Sequence, residues 1–210
     1  MSLASVERAA LSDLLDEVGP DAPTLCEGWT TRDLTAHLVI REGRPDANAG
    51  IVIPPLAGWT DRVQAGAALG DYTELVERVR SGPPTLSFFN LPGVDARANA
   101  FEYLVHHEDV RRAQPDWKPR ALPPKVADAL WARLTKGGGK FLFRRATTGV
   151  TLERPSGERS VARSGDPMVT LVGEPVELIL QGFGRGDHAQ VEIQGDAEAV
   201  AAFTGGSFEV

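Results

Sequence analysis

The 210 residues carry a net charge of −7, with 29 acidic side chains against 22 lysines and arginines. That balance argues against a nucleic-acid surface and gives no pull toward anionic membranes. Hydrophobic residues make up 42% and charged residues 24%, enough for a real core in one large domain or two small ones.

No apolar run approaches the roughly 20 residues that span a bilayer. The start, Met1-Ser2-Leu3-Ala4-Ser5-Val6-Glu7, lacks a basic stretch followed by an apolar one, so no signal peptide is expected. The lone cysteine, Cys26, cannot form an internal disulfide, which fits a reducing cytoplasm. Arginine outnumbers lysine 18 to 4, a composition that fits a high-GC genome.

Ser5 to Val18 predicts a helix, with Val6, Ala9, Ala10, Leu14 and Val18 at helical spacing. Gly19-Pro20 ends it, and Thr24 to Trp29 forms a short connector in which Cys26 reads as a small buried hydrophobe. Thr30 starts a second helix running to about Glu42, with Asp33 placed as a capping-box partner. His37 lies between Leu34 and Leu38 on one side and Ala36 and Ile40 on the other, so it faces inward. Arg41 and Arg44 follow on roughly its face, as solvated charges or as anion-binding groups.

Residues 43–70, rich in Gly, Pro and Ala, predict a long loop with one helical turn around Trp59 to Ala65. Asp71 to Arg80 predicts a third helix and Gly93 to Arg112 a fourth. Four helices, two of them with inward polar residues, describe a bundle with a site between facing helices.

The character changes after Pro115. Prolines 119, 123 and 124 mark a linker, and a helix over 124–136 follows, interrupted by Gly137-Gly138-Gly139. Thr148–Arg154, Arg159–Ala162, Val169–Val172 and Gln190–Gln194 predict strands. Glu174 to Gln181 predicts a helix with Pro175 in its first turn, and Asp196 caps a last short one. The expected fold class is α+β: a helical bundle over 1–115 followed by a small α+β domain over 116–210.

The fourth helix carries the most informative segment. Glu102 and His106 are four residues apart, so they share a face. At about 100° per residue, Asn99, Glu102, His106 and Asp109 form one polar stripe flanked by apolar residues, while Arg97, His107, Glu108 and Arg111 fall on the opposite, wettable side. Carboxylates and imidazoles facing a core are costly unless bonded, paired or bound to a metal.

His37, Glu102 and His106 supply two imidazoles and a carboxylate, a set of three that leaves a coordination position open, as in catalytic zinc sites. Asn99 and Asp109 stand one turn to either side, placed to orient those ligands. The alternative is a buried hydrogen-bonded network without metal.

Two segments resemble one family. Thr24-Leu25-Cys26-Glu27-Gly28-Trp29-Thr30-Thr31-Arg32-Asp33-Leu34-Thr35-Ala36-His37-Leu38 is similar to a signature of the mycothiol-dependent maleylpyruvate isomerase N-terminal domain, one of the DinB-like four-helix metalloproteins. Glu102 to Ala113 resembles its second metal motif. Gly173 to Arg185 is similar, more loosely, to a segment of the isomerase's C-terminal domain that ends in a Gly-Arg pair.

The resemblance implies His37, Glu102 and His106 as ligands of one divalent ion, usually zinc. It also implies Arg185 as the catalytic residue that binds a substrate carboxylate, a task suited to the planar guanidinium. Mycothiol would be the thiol cosubstrate and a small electrophilic carboxylate the substrate, in a cytoplasmic isomerase or thiol transferase without nucleic-acid or membrane partners. The 43–70 loop matches nothing in the family. A non-catalytic metal-containing protein that binds a small ligand is the alternative function.

Overall fold

The computed structural model describes residues 2–44, 46–47, 57–84 and 100–206. They fall into two compact units, Met1–Lys118 and Pro119–Val210, and the chain is α+β. Among the described residues, no helix is long and apolar enough to cross a membrane.

The first unit is built on α1 (Leu3–Val18), α2 (Thr31–Gly43), α3 (Ala57–Ala68), α4 (Tyr72–Ser81) and α5 (Ala100–Arg112). Helix starts follow from local chemistry: Ser2 Oγ accepts the Ser5 amide at 3.1 Å, and Asp71 Oδ1 accepts the Glu74 amide at 3.0 Å. At α2 the Thr30 amide and hydroxyl donate to Asp33 Oδ2 at 2.9 and 2.7 Å. Gly19, at φ 77°, turns the chain out of α1 in a conformation that side chains disfavour.

Helix α1 packs on α5 and α4, and α2 on α3 and α4. Leu11, Leu15, Leu34, Leu38, Val39, Leu75, Val76, Val79, Tyr103 and Val110 make the core between them. Two features differ from the sequence expectation. Residues 57–68 form a full helix where one turn within a loop was expected, despite four glycine and alanine residues in succession at Ala65-Gly66-Ala67-Ala68. The side of α5 expected to be wettable is buried: His107 and Glu108 are 6% and 0% exposed. Glu7 of α1 meets His107 at 2.7 Å, and Arg112 meets Glu108 at 2.7 Å, so side-chain partners rather than water satisfy that face. Gly93 to Asn99, expected to open this helix, lie outside the described residues, as does Arg97.

The second unit begins with α6 (Pro124–Arg133) and a π-helical turn, Leu134–Gly138, that leads into the short α7 (Gly139–Leu142). The glycine run thus kinks the helix rather than ending it; Gly137 takes φ 119°. Then come β1 (Gly149–Glu153), β2 (Arg159–Arg163), β3 (Met168–Val172), α8 (Pro175–Gly182), a 3₁₀ turn, β4 (Glu192–Gln194) and α9 (Ala197–Thr204).

The sheet order is β2-β1-β3-β4, with β1 antiparallel to β2 and parallel to β3, and β4 antiparallel to β3. The link from β2 to β3 crosses the start of β1. Two glycines make that crossing possible: a Cβ on Gly149 would lie 2.9 Å from the Gly165 amide nitrogen. Val150, Leu152, Val169 and Leu171 are buried at alternating positions, and Ile179, Leu180 and Phe203 are buried with them.

Candidate metal centre

His37 is on α2, Glu102 and His106 on α5, and all three lie in the first unit. The two imidazoles converge on one carboxylate oxygen: Glu102 Oε1 is 3.5 Å from His37 Nε2 and 3.2 Å from His106 Nε2. One donor atom from each residue falls within 4.8 Å of the others. The rings stand edge to face with centroids 5.5 Å apart.

Each imidazole is held by its second nitrogen. His106 Nδ1 donates to Asp109 Oδ2 at 3.0 Å, one turn along α5, and the Asp109 side chain is fully buried. His37 Nδ1 lies 3.3 Å from Gln64 Oε1 on α3. Metal-binding histidines are commonly fixed in this way, with one nitrogen turned to the ion and the other to an oxygen. The Trp29 ring packs against His37 with centroids 5.1 Å apart. Gln64 escapes a reading of the sequence because it sits in the segment expected to be loop.

Arg41 completes the charge balance, its Nε donating to Glu102 Oε1 at 3.0 Å. It lies one turn after His37 on the same face of α2, as its spacing predicted, and the anion it meets is the Glu102 carboxylate of the cluster itself. Burial pushes the Glu102 carboxyl up, but hydrogen bonds from His106 and His37, with the charges of His106 and Arg41, outweigh it and hold the group well below the carboxylate range. For His106, burial disfavours the cation, yet the bonds to Asp109, Cys26 and Glu102 raise its pKa well above that of free imidazole.

The donors fit a divalent ion of the zinc type: two imidazole nitrogens and a carboxylate, from two helices, with both rings pre-oriented. His107 is turned toward Glu7 and away from this cluster. Asn99 lies outside the described residues. Arg185 belongs to the second unit, after α8, where its Nη1 donates to the Phe183 carbonyl at 2.6 Å.

The architecture is that of an α+β protein whose helical unit carries a His-Glu-His cluster. Residues 3–85 match the family model of the mycothiol maleylpyruvate isomerase N-terminal domain, as the first of the two sequence motifs implied. Two solved structures share the fold over nearly the whole chain. One is the mycothiol-dependent maleylpyruvate isomerase, 18% identical with a TM-score of 0.59 over 94% of this chain and 92% of that one. The other is a histidine-to-alanine mutant of that isomerase, 17% identical with a TM-score of 0.61 over the same shares. No curated protein matches the sequence significantly. The resemblance expected from the sequence is thus borne out, by family over residues 3–85 and by fold over most of the chain.

Proposed function

We propose that the chain is a mycothiol-dependent metalloenzyme that holds one zinc ion through His37, Glu102 and His106. The convergence of both Nε2 atoms on a single Glu102 oxygen, with each Nδ1 held from behind, carries this reading. Zinc bound there would lower the pKa of a coordinated thiol and so supply a nucleophile without a protein cysteine. The protein's own part is to orient and to balance charge. Asp109 and Gln64 fix the ring orientations, Glu102 contributes the negative charge, and Arg41 steadies Glu102.

Arg185 is assigned to the carboxylate of a small electrophilic substrate, which its guanidinium can grip with two parallel hydrogen bonds. The reaction is an isomerisation, or a thiol transfer if the conjugate is released. The family match over residues 3–85 and the shared isomerase fold support this reaction class.

Metal analysis of protein purified without a polyhistidine tag tests the reading. One equivalent of zinc is expected, lost in His37→Ala and in His106→Ala, and calorimetry of the loaded protein should detect mycothiol binding. Protein with no zinc and no affinity for it refutes the metal, and calorimetric silence refutes the thiol. The Arg41–Glu102 ion pair favours one other reading, in which cationic side chains alone satisfy the cluster; the same metal analysis decides between them.

A further inference from the structure

The connector between α1 and α2 touches both imidazoles of the cluster. We propose that Cys26, in this connector, is a positioning residue that fixes His106 through Asp109; the inference rests on the metal-centre reading above.

The geometry forms a continuous chain of contacts. Cys26 Sγ donates to Asp109 Oδ2 at 3.2 Å, and the same oxygen accepts from His106 Nδ1 at 3.0 Å. The sulfur is 3.9 Å from that nitrogen, so two donors on separate segments meet on one carboxylate oxygen. The Asp109 side chain is wholly buried, where a carboxylate is costly unless several donors serve it. The backbone repeats the link: the Leu25 amide donates to the Asp109 carbonyl at 3.0 Å.

The connector itself is braced. Thr24 Oγ1 accepts the Cys26 amide at 3.2 Å and donates to the Trp29 carbonyl at 2.9 Å. The Trp29 amide donates to the Cys26 carbonyl at 3.0 Å. Gly28, at φ 75°, permits the turn between them. Trp29 then lies on His37. One short loop therefore reaches His106 through a thiol and a carboxylate, and His37 through an indole.

A thiol suits the position because it is a weak donor. It fixes the carboxylate's rotation and leaves the oxygen's charge for the imidazole N–H. That bond selects the tautomer whose Nε2 is bare toward the ion. Removing the thiol loosens Asp109, and the ring with it.

The test uses the full chain as wild type, Cys26→Ala, Cys26→Ser, Asp109→Asn and the Cys26→Ala/Asp109→Asn double variant. Zinc affinity is measured by competition with a chelating dye, the visible spectrum on the cobalt(II) form, and folding of each metal-free variant by circular dichroism. Loss of an outer partner commonly weakens metal binding about 10- to 100-fold, the effect expected for Asp109→Asn. Cys26→Ala, one contact further out, should weaken binding roughly threefold to tenfold and shift the cobalt bands. Cys26→Ser should recover most of the loss, and Cys26→Ala should add nothing once Asp109 is Asn.

Wild-type affinity and an unchanged cobalt spectrum in Cys26→Ala overturn the inference, as does an equal loss in both Asp109 backgrounds. An intense thiolate-to-cobalt charge-transfer band in the wild type also overturns it, by making Cys26 a ligand. Should Asp109→Asn fail to fold, the two single Cys26 variants and the spectrum still decide. A folded wild type that binds neither zinc nor cobalt refutes the metal reading and the inference with it.

Discussion

His106 and His107 are neighbours in sequence and answer to different partners. His106 joins Glu102 and Asp109, whereas His107 is buried against Glu7 of α1. Removing one partner of a buried hydrogen bond leaves the other group unsatisfied, at a cost of about 1–3 kcal/mol. His107→Ala, which strips Glu7 of its partner, should therefore lower stability by about 2 kcal/mol in urea denaturation while zinc content stays at the wild-type level. His106→Ala should do the opposite to the metal.

The cluster also has a pH signature. The raised pKa of His106 gives the metal-free protein stability that is full below about 6.5 and is lost as pH rises through the folded value. The depressed pKa of Glu102 gives stability that is present above about 4.3 and is lost as pH falls through its folded value. Zinc needs the unprotonated ring, so metal and proton compete for His106. The rise in melting temperature on adding zinc should grow as pH increases from 6 to 8 in calorimetric scans, with zinc held at fixed excess. A rise that shrinks over this range would contradict the competition.

At the level of elements, helix periodicity was the most legible signal. The ranges of α2 and α4 and the place of each strand in the second unit follow from apolar spacing and caps. The range of α1 was also legible, but its buried face is Ala4, Leu11 and Leu15 with Glu7, Arg8 and Ser12, not the expected stripe, in which Val6 is 45% exposed. Asp71 is one such cap: Asp71→Ala should cost about 1 kcal/mol in chemical denaturation, since the Glu74 amide loses its acceptor.

Helix α5 was read on the wrong premise. Charged residues on its far side suggested water, but that side packs on α1, where Glu7 meets His107. A single helix's periodicity cannot reveal a polar partner supplied from 100 residues away. The α3 helix was hidden by its glycines and alanines, which are poor evidence of periodicity, and Gln64 was hidden with it. The contact of Cys26 with Asp109 spans 83 residues, so no local pattern in the sequence announces it.

On the scale of the whole molecule, the roles proposed for the His-Glu-His cluster and for Arg185 belong to residues of separate units and can be tested apart. This division makes a separable prediction. Arg185→Gln should raise the KM for a small carboxylate substrate at least tenfold, the weight of one charged hydrogen-bonded contact, while zinc content and thiol affinity remain those of the wild type. Equal loss of metal and activity in that variant would remove Arg185 from the substrate-binding role. Of the two motifs that suggested a family, the first lies within the matched residues 3–85 and the second lies beyond them.

The paired histidines of α5 also bear on how such a gene can change. Deleting one codon among 103–105 would bring the present His107 to the fourth place after Glu102, restoring the Glu-x-x-x-His spacing that the deletion breaks. The spacing to Asp109 would not be restored, because that aspartate would then follow the new ligand by only two residues and, at about 100° per residue, lie on another side of the helix. An in-frame deletion would thus restore the ligand spacing and untether the imidazole, and it would also bring Glu108 to the buried place where His107 now meets Glu7, setting two carboxylates against each other.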